Sequence, residues 1–495
     1  MSTPANPSLR VTFSGLMVAI FLAALDQTIV AVALPRMSQD LGSPWLLGWI
    51  AAGYMVSMAI SSPLYGRFAD MFGRQLMMTA AIAIFAVASL LCAIAQTMPQ
   101  LIAARLLQGV GGAGLMIVSQ AVISDLVSVR ERGRYQGYIS GMFLVSSVIG
   151  PPLGGFFTSY LSWRWIFWIN LPLSLLAWLV IRHALRDLPF RPRREPIDYL
   201  GSMLLALALG SSLVGITLTG QGRSWSDPWV VFLLIAGGTA LALFVWWQRR
   251  ARAPLLPPAL FRTRTVGLCL AITFIVSIQV VSLTMLFPLR YQLVTGASAA
   301  ASAIYLIPVS FGVPCGAIFT GHLMARTGRY RPIHLTGSVI VGLSMMAVGL
   351  LGPTDVWPMM IATFLVGFAG AMHFPNSMIA IQNSVRRDQI GIATGSYSLF
   401  RTLGPTVGVA VLTSLLLALL HQADLQLPPM AGEASDFLSE LLRQVLSPTP
   451  GVDPTQLRAS IENTFQQLQL ATAALSLLTL LLALALPEGQ LSDQK

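Results

Sequence analysis

Residues 11–35 read Val11-Thr12-Phe13-Ser14-Gly15-Leu16-Met17-Val18-Ala19-Ile20-Phe21-Leu22-Ala23-Ala24-Leu25-Asp26-Gln27-Thr28-Ile29-Val30-Ala31-Val32-Ala33-Leu34-Pro35. The run is long and apolar enough to cross a bilayer as a helix, since about 20 such residues span the hydrocarbon layer. Asp26 is the one charge in it. A carboxylate in hydrocarbon is costly unless it is paired, faces water or carries a proton, so Asp26 reads as part of a substrate or proton pathway.

The rest of the chain has the same character. Its 495 residues are 55% hydrophobic and 10% charged, with a mean hydropathy of +0.72, where a soluble domain carries about 25% charge. The chain is therefore expected to be an all-α polytopic membrane protein. A net charge of +11 would suit a nucleic-acid partner only if the basic residues shared one face. They lie instead in short loops between apolar runs, so no nucleic acid is expected. The first ten residues are polar, and Val11–Pro35 lacks a small-residue cleavage pattern, which marks it as a retained helix and signal anchor. Cys92, Cys269 and Cys315 lie in apolar runs without paired spacing, and the five histidines form no HxxxH or HExxH pattern. Neither a disulfide framework nor an ordinary zinc site is expected.

Windows of about 20 apolar residues give fourteen helices, near 12–35, 46–65, 75–95, 99–122, 136–158, 163–183, 199–219, 228–248, 266–289, 298–321, 333–352, 357–378, 391–419 and 465–486. With the amino terminus in the cytoplasm, 22 of the 30 basic residues fall on the cytoplasmic side. Six fall outside (Arg36, Arg164, Arg223, Arg290, Arg443 and Arg458), and Arg105 and Arg401 lie within spans. This is the asymmetry of the positive-inside rule. It predicts a multi-pass protein of the inner, cytoplasmic membrane with both termini cytoplasmic. The external segment His421–Glu462 is polar and proline-containing around an amphipathic stretch, Asp436–Leu446. It reads as a loop with a short surface helix or as a docking site, with a periplasmic adaptor protein as a candidate partner.

The chain also repeats itself, as many transporters do. Gly66, Gly73 and Arg74 after helix 2 recur as Gly321, Gly328 and Arg329 after helix 10. In helix 5, Gly150-Pro151 and Gly154 recur as Gly404-Pro405 and Gly408 in helix 13, and Gly109 and Gly112 in helix 4 recur as Gly367 and Gly370 in helix 12. Helices 1–6 thus repeat as helices 9–14, with helices 7 and 8 inserted. The units expected are 1–185, an amino-terminal six-helix bundle; 186–262, cytoplasmic loops and the inserted helices; and 263–495, a carboxy-terminal six-helix bundle that includes the loop 421–462. Ala325 stands where Asp70 is, Thr363 where Arg105 is, and helix 9 has no counterpart of Asp26. The ionisable machinery is therefore expected in the first half.

Three motifs carry chemistry. In Gly66–Arg74, Asp70 can accept from a neighbouring helix N-terminus or pair with Arg74, Arg130 or Arg134, which would make a latch between the halves; an ordinary loop-capping Asp is the plainer alternative. In helix 4, Arg105 must find an anion or water, because it stays charged. At about 1.5 Å rise per residue, Asp26 lies roughly 13 Å and Arg105 roughly 9 Å from the external end, so the two can meet. Such a pair can exchange a proton as its surroundings shift, or it can be a static ion pair that orients helices 1 and 4. In helix 5, Gly150-Pro151-Pro152-Leu153-Gly154-Gly155 bends the helix, and its glycines are expected to pack tightly against the opposite half; a purely structural kink is the alternative. Arg401 in helix 13, with Tyr397 one turn away, either lines a cavity or satisfies backbone carbonyls. Gln27, Gln108, Gln279 and His373 are weaker candidates for a substrate cavity, and Asn170 is another polar group in a span. A polar group of this kind is more often a helix-to-helix hydrogen bond than a ligand contact.

Residues Leu25–Pro35, Gly66–Arg74, Arg105–Gly114 and the helix 5 run ending Gly150-Pro151-Pro152-Leu153-Gly154-Gly155 closely resemble the fourteen-helix drug:proton antiporters of the major facilitator superfamily. The resemblance implies a major facilitator fold of two six-helix bundles with two inserted helices around a central cavity. It further implies proton-coupled efflux of hydrophobic or cationic compounds, such as drugs, with Asp26 and Arg105 in proton coupling. A proton gradient would stand in place of a cofactor, the partners would be the small-molecule substrate, protons and membrane lipid, and a monomer would suffice. Met71 and Gln75 depart from the basic residues usual in the cytoplasmic motif, Ser146 from a helix 5 glycine, and Ala31 from a helix 1 Asn. The alternative is an exporter of a specific metabolite, lipid or siderophore on the same scaffold, since fold does not fix substrate. An enzyme is not expected, because the chain has no GxSxG, HExxH or paired intramembrane Asp.

The topology can be tested with single cysteines in a background lacking the three native ones. A membrane-impermeant maleimide is expected to label Ser435→Cys and spare Arg193→Cys in intact spheroplasts; the converse pattern would invert the topology.

Overall fold

The computed structural model describes residues 7–42, 46–127, 129–184, 198–220, 223–251, 254–256, 258–296, 302, 306–352, 355–386, 389–422, 441, 444–445 and 453–488. Among these residues the chain is helical and has no strand. Fourteen long helices match the expected spans: α1 Pro7–Leu41, α2 Leu47–Phe72, α3 Arg74–Ile94, α4 Met98–Leu126, α5 Val129–Tyr160, α6 Asn170–Ala184, α7 Tyr199–Gly220, α8 Pro228–Gln248, α9 Arg264–Thr295, α10 Ile307–Thr327, α11 Arg331–Leu350, α12 Val356–Asn383, α13 Ile390–Gln422 and α14 Pro454–Leu484. Among the described residues thirteen helical spans are long and apolar enough to cross a membrane. Helix α2, at 26 residues, exceeds the length that crosses the hydrocarbon layer as well.

Two boundaries differ from expectation for local reasons. The span at 163–183 breaks into a short turn, Trp165–Trp168, and then α6, because Pro172 has no N–H to donate to the Trp168 carbonyl. Helix α14 starts at Pro454 rather than near 465: Asp453 caps it by accepting from the Thr455 N–H at 2.8 Å, and Pro454 occupies the first turn. The polar residues up to Glu462 therefore belong to a helix. The connector 186–196 and most of the stretch Asp436–Leu446 lie outside the described residues.

The repeat seen in the sequence is a repeat of packing. Helix α2 lies on α4, α3 on α4, α1 on α5 and α6, and α3 on α6; in the same order α10 lies on α12, α11 on α12, α9 on α13 and α14, and α11 on α14. The bundles meet through α2 with α13 and α5 with α10. Gly73 and Gly328, equivalent in the two halves, both have positive φ, +95° and +64°, a conformation that glycine adopts without a Cβ penalty. The inserted helices α7 and α8 pack on each other, and α7 rests on both α2 and α13. A hydrogen bond from Trp225 Nε1 to Ser414 Oγ, at 2.6 Å, ties the turn between them to α13. Large apolar side chains such as Val87, Leu175, Phe232, Ile235, Leu343 and Leu481 are exposed, as suits surfaces that face lipid.

The second half holds an ion pair that the hydropathy reading misses. Arg290, expected in an external loop, is buried inside α9 and pairs with Glu462 of α14. Its Nε donates to Glu462 Oε2 at 3.0 Å, and its other donors reach the carbonyls of Val348 at 2.6 Å and Leu351 at 2.5 Å. One guanidinium thus joins α9, the end of α11 and α14. Removing one partner of a buried pair typically costs about 3–5 kcal/mol, whereas replacing both by apolar residues is often nearly neutral. Arg290→Met is accordingly expected to lower the midpoint of thermal unfolding in detergent by several degrees, and Arg290→Met with Glu462→Leu to recover most of that loss. An unchanged midpoint in the single variant would remove the pair from the stability of this bundle.

Candidate functional site

Asp26 lies at the middle of α1 with no solvent exposure, held by groups from α4 and α6. Its Oδ2 pairs with Arg105 Nη1 at 2.5 Å, and its Oδ1 accepts from Gln108 Nε2 at 2.9 Å and from Asn170 Nδ2 at 3.0 Å. Arg105 is 2% exposed; its Nε donates to the Ile50 carbonyl at 3.1 Å and its Nη1 also reaches Gln108 Oε1 at 2.6 Å. The ring of Tyr54 lies 4.4 Å from the guanidinium carbon. Ser89 of α3 accepts from both Gln108 and Asn170. Arg105 and Gln108 are three apart on one face of α4, so one helix presents both to the carboxylate. The ring stacking, the carbonyl and the amides together meet the cost of burying this pair.

Gly109 explains how α4 comes so near. A Cβ there would lie 2.3 Å from the Tyr54 carbonyl oxygen of α2, so only glycine permits this approach. The helix 5 glycines act differently from expectation. A Cβ on Gly150 would strike Thr28 Oγ1 at 2.3 Å and one on Gly154 the Ile29 carbonyl oxygen at 2.7 Å. Both serve the contact of α5 with α1 in the same half rather than with the opposite bundle. Gly155 has open space around it, and Pro151 and Pro152 lie inside α5. The inter-bundle contact of α5 falls nearer its start, where a Cβ on Gly137 would come within 3.5 Å of Ile318.

The motif Gly66, Asp70, Gly73 and Arg74 joins the halves at the end of the molecule that carries the arginine-rich loops. A Cβ on Gly66 would lie 2.2 Å from the Gly391 carbonyl oxygen, so α2 and the start of α13 touch backbone to backbone. Asp70 accepts from the Ile392 N–H at 3.2 Å, pairing a carboxylate with the N-terminus of α13. It also pairs with Arg74 at 2.7 Å, and Arg74 reaches Asp125 at the end of α4 at 3.0 Å. Burial pushes the Asp70 carboxyl up to about 6 against the pull of Arg74. Asp125 is the partner that sequence reading did not find.

Between the bundles lies a cavity of about 490 Å³, within the range of small-molecule sites. Its wall comes from α1, α2, α4, α5, α7 and α13 and includes Gln27, Met55, Met116, Gln120, Phe143 and Arg401. It extends to Gly48 and Thr217, near the ends of α2 and α7 away from the closed contact at Gly66 and Gly391. Of the six residues expected to line a cavity, Gln27 and Arg401 do so. Gln108 belongs to the Asp26 cluster, Gln279 donates to Ser476 Oγ at 2.6 Å and the Thr472 carbonyl at 3.2 Å, and the Tyr397 hydroxyl donates to the Phe374 carbonyl at 2.9 Å. His373 is buried against His334, with their Nδ1 atoms 2.9 Å apart. That histidine pair joins α11 and α12, and no spacing in the sequence announces it.

Comparison with known proteins agrees with this architecture. The chain is 31% identical over 494 residues to an uncharacterized MFS-type transporter of Mycobacterium tuberculosis, covering 98% of this chain and 70% of that protein. It is 32% identical over 421 residues to the acurin A biosynthesis cluster MFS-type transporter of Aspergillus aculeatus, covering 83% and 76%. The structure of the human organic anion transporter MFSD10 shares the fold, with a TM-score of 0.64 at 16% identity over 97% of this chain and 100% of that one. A family model spans residues 16–409, from within α1 to within α13, and on that match the chain belongs to the Major Facilitator Superfamily.

Proposed function

We propose that this transporter exports amphipathic compounds across the cytoplasmic membrane in exchange for protons, by alternating access. The observation that carries the reading is the sealed cluster of Asp26, Arg105, Gln108 and Asn170, one residue away from Gln27 on the wall of the central cavity. A proton arriving on Asp26 cancels its attraction for Arg105 and leaves the guanidinium to find other acceptors. Two packings of α1 against α4 then differ in free energy according to proton occupancy, and a ligand in the adjoining cavity biases the same equilibrium. The basic end, cytoplasmic by the distribution of arginines, is held shut by Gly66 against Gly391 and by Asp70 on α13. On this reading the arrangement described is the outward-facing one, and the inward-facing one requires that contact to part. No cofactor enters the cycle, and a single chain is sufficient for it.

Arg105→Lys is not a conservative change here, because a single ammonium cannot reach Asp26, Gln108 and the Ile50 carbonyl in the fork geometry of a guanidinium. A second reading, export of one endogenous metabolite, draws support from the Aspergillus relative whose name ties it to a biosynthesis cluster. The two differ in breadth of substrate rather than in coupling.

In proteoliposomes, Asp26→Asn is expected to reduce substrate-driven proton release at least tenfold while the unfolding midpoint stays near that of the unaltered protein. Gln108→Ala is expected to give a smaller loss. Full proton release in Asp26→Asn would take the carboxylate out of the mechanism.

A further inference from the structure

Among the described residues the cavity wall carries a single ionisable side chain, Arg401. Asp26 is sequence neighbour to the lining Gln27, yet its carboxylate is buried and turned to Arg105, Gln108 and Asn170. Among the described residues no carboxylate lies within ion-pair distance of Arg401. Its guanidinium stands instead near two aromatic rings, 5.0 Å from the centroid of Phe374 and 5.7 Å from that of Phe143. One donor is shared with the Tyr397 hydroxyl, and the ring contacts leave the other N–H donors of the five-donor fork available. A guanidinium cannot shed its charge as a lysine can, so the wall keeps one fixed positive charge. The remaining wall is neutral: Met55, Met58 and Met116 supply adaptable apolar surface, and Gln120 and Thr402 supply hydrogen bonds without charge. Within walls of low dielectric, an unpaired charge selects the sign of what enters more strongly than it would in water.

We propose that this cavity selects amphipathic monoanions, an apolar body bearing one carboxylate or sulfonate that pairs with Arg401. The inference rests on reading the cavity as the substrate site, and it departs from the cationic compounds that the sequence resemblance implied. A quaternary ammonium of the same size meets a like charge and no acid. A neutral amide of the same body keeps the apolar contacts and loses only the ion pair.

The test uses the purified full-length chain in detergent and three probes with one naphthyl body, bearing a carboxylate, a carboxamide or a trimethylammonium, with affinities measured by calorimetry. The carboxylate is expected to bind at least tenfold tighter than the ammonium. Arg401→Gln is expected to weaken the carboxylate at least tenfold and change the carboxamide less than twofold, which also shows that the variant is folded. Arg401→Lys is expected to retain part of the preference. Equal or tighter binding of the ammonium, an unchanged carboxylate affinity in Arg401→Gln, or no carboxylate binding to the unaltered chain would each overturn the proposal. Competition by palmitate assigns the natural acid to a membrane source and its failure to a soluble one, the anion class standing in both cases. Proton release measured in parallel keeps the two readings apart: anion binding without coupled proton release removes antiport and leaves the selectivity in place.

Discussion

An ionised carboxylate can persist in the middle of a helical bundle only if its surroundings replace the water it has lost. At Asp26 that replacement comes from Arg105 and Gln108 on α4 and Asn170 on α6, with Ser89 on α3 receiving the amide protons left over. Four helices of one bundle are thereby fixed about a single side chain. The approach of α4 to α2 needs Gly109, and the approach of α5 to α1 needs Gly150 and Gly154. Small residues thus bring the backbones close, and the polar cluster fixes their register.

The two bundles share a scaffold and differ in what they enclose. Equivalent helix pairs pack in equivalent ways, while the amino-terminal half holds its ion pair beside the cavity and the carboxy-terminal half holds Arg290 with Glu462 across α9 and α14. The expectation that ionisable groups would gather in the first half was therefore too narrow. In the second half the buried charges join helix ends, with two backbone carbonyls of α11 as further acceptors, so they contribute to assembly and stand apart from the cavity wall.

Much of the fold was legible because transfer free energy writes itself into composition: apolar windows locate helices whatever their partners. The ion pair of Asp26 and Arg105 was legible for a related reason, since two charges at matching depth in lipid have few alternatives to meeting. Glu462 was not legible, because a window that scores hydropathy ends α14 where its polar first turns begin, although Asp453 and Pro454 form a recognisable start signal. The partners of the helix 5 glycines were also hidden. A missing Cβ says that something comes close and is silent on whether that neighbour is α1 or the opposite bundle. The same limit applied to Gln279, Tyr397 and His373: a polar group in a span must be satisfied, and only the packing decides whether a neighbouring helix or a cavity satisfies it.

The inserted pair α7 and α8 leans on α2 and α13, which belong to different bundles. If the bundles rock, the angle between α2 and α13 changes, and a hairpin fixed to both would act as a brake. Its described polar tether, Trp225 to Ser414, goes to α13 alone, while the lining residues Ile216 and Thr217 of α7 reach the cavity next to α2. On the proposed alternating-access reading, the hairpin would travel with the carboxy-terminal bundle and slide over α2, covering one flank of the cavity. Among the described residues the hairpin covers that one flank only, and α5 meets α10 on the opposite flank without an inserted helix over the contact.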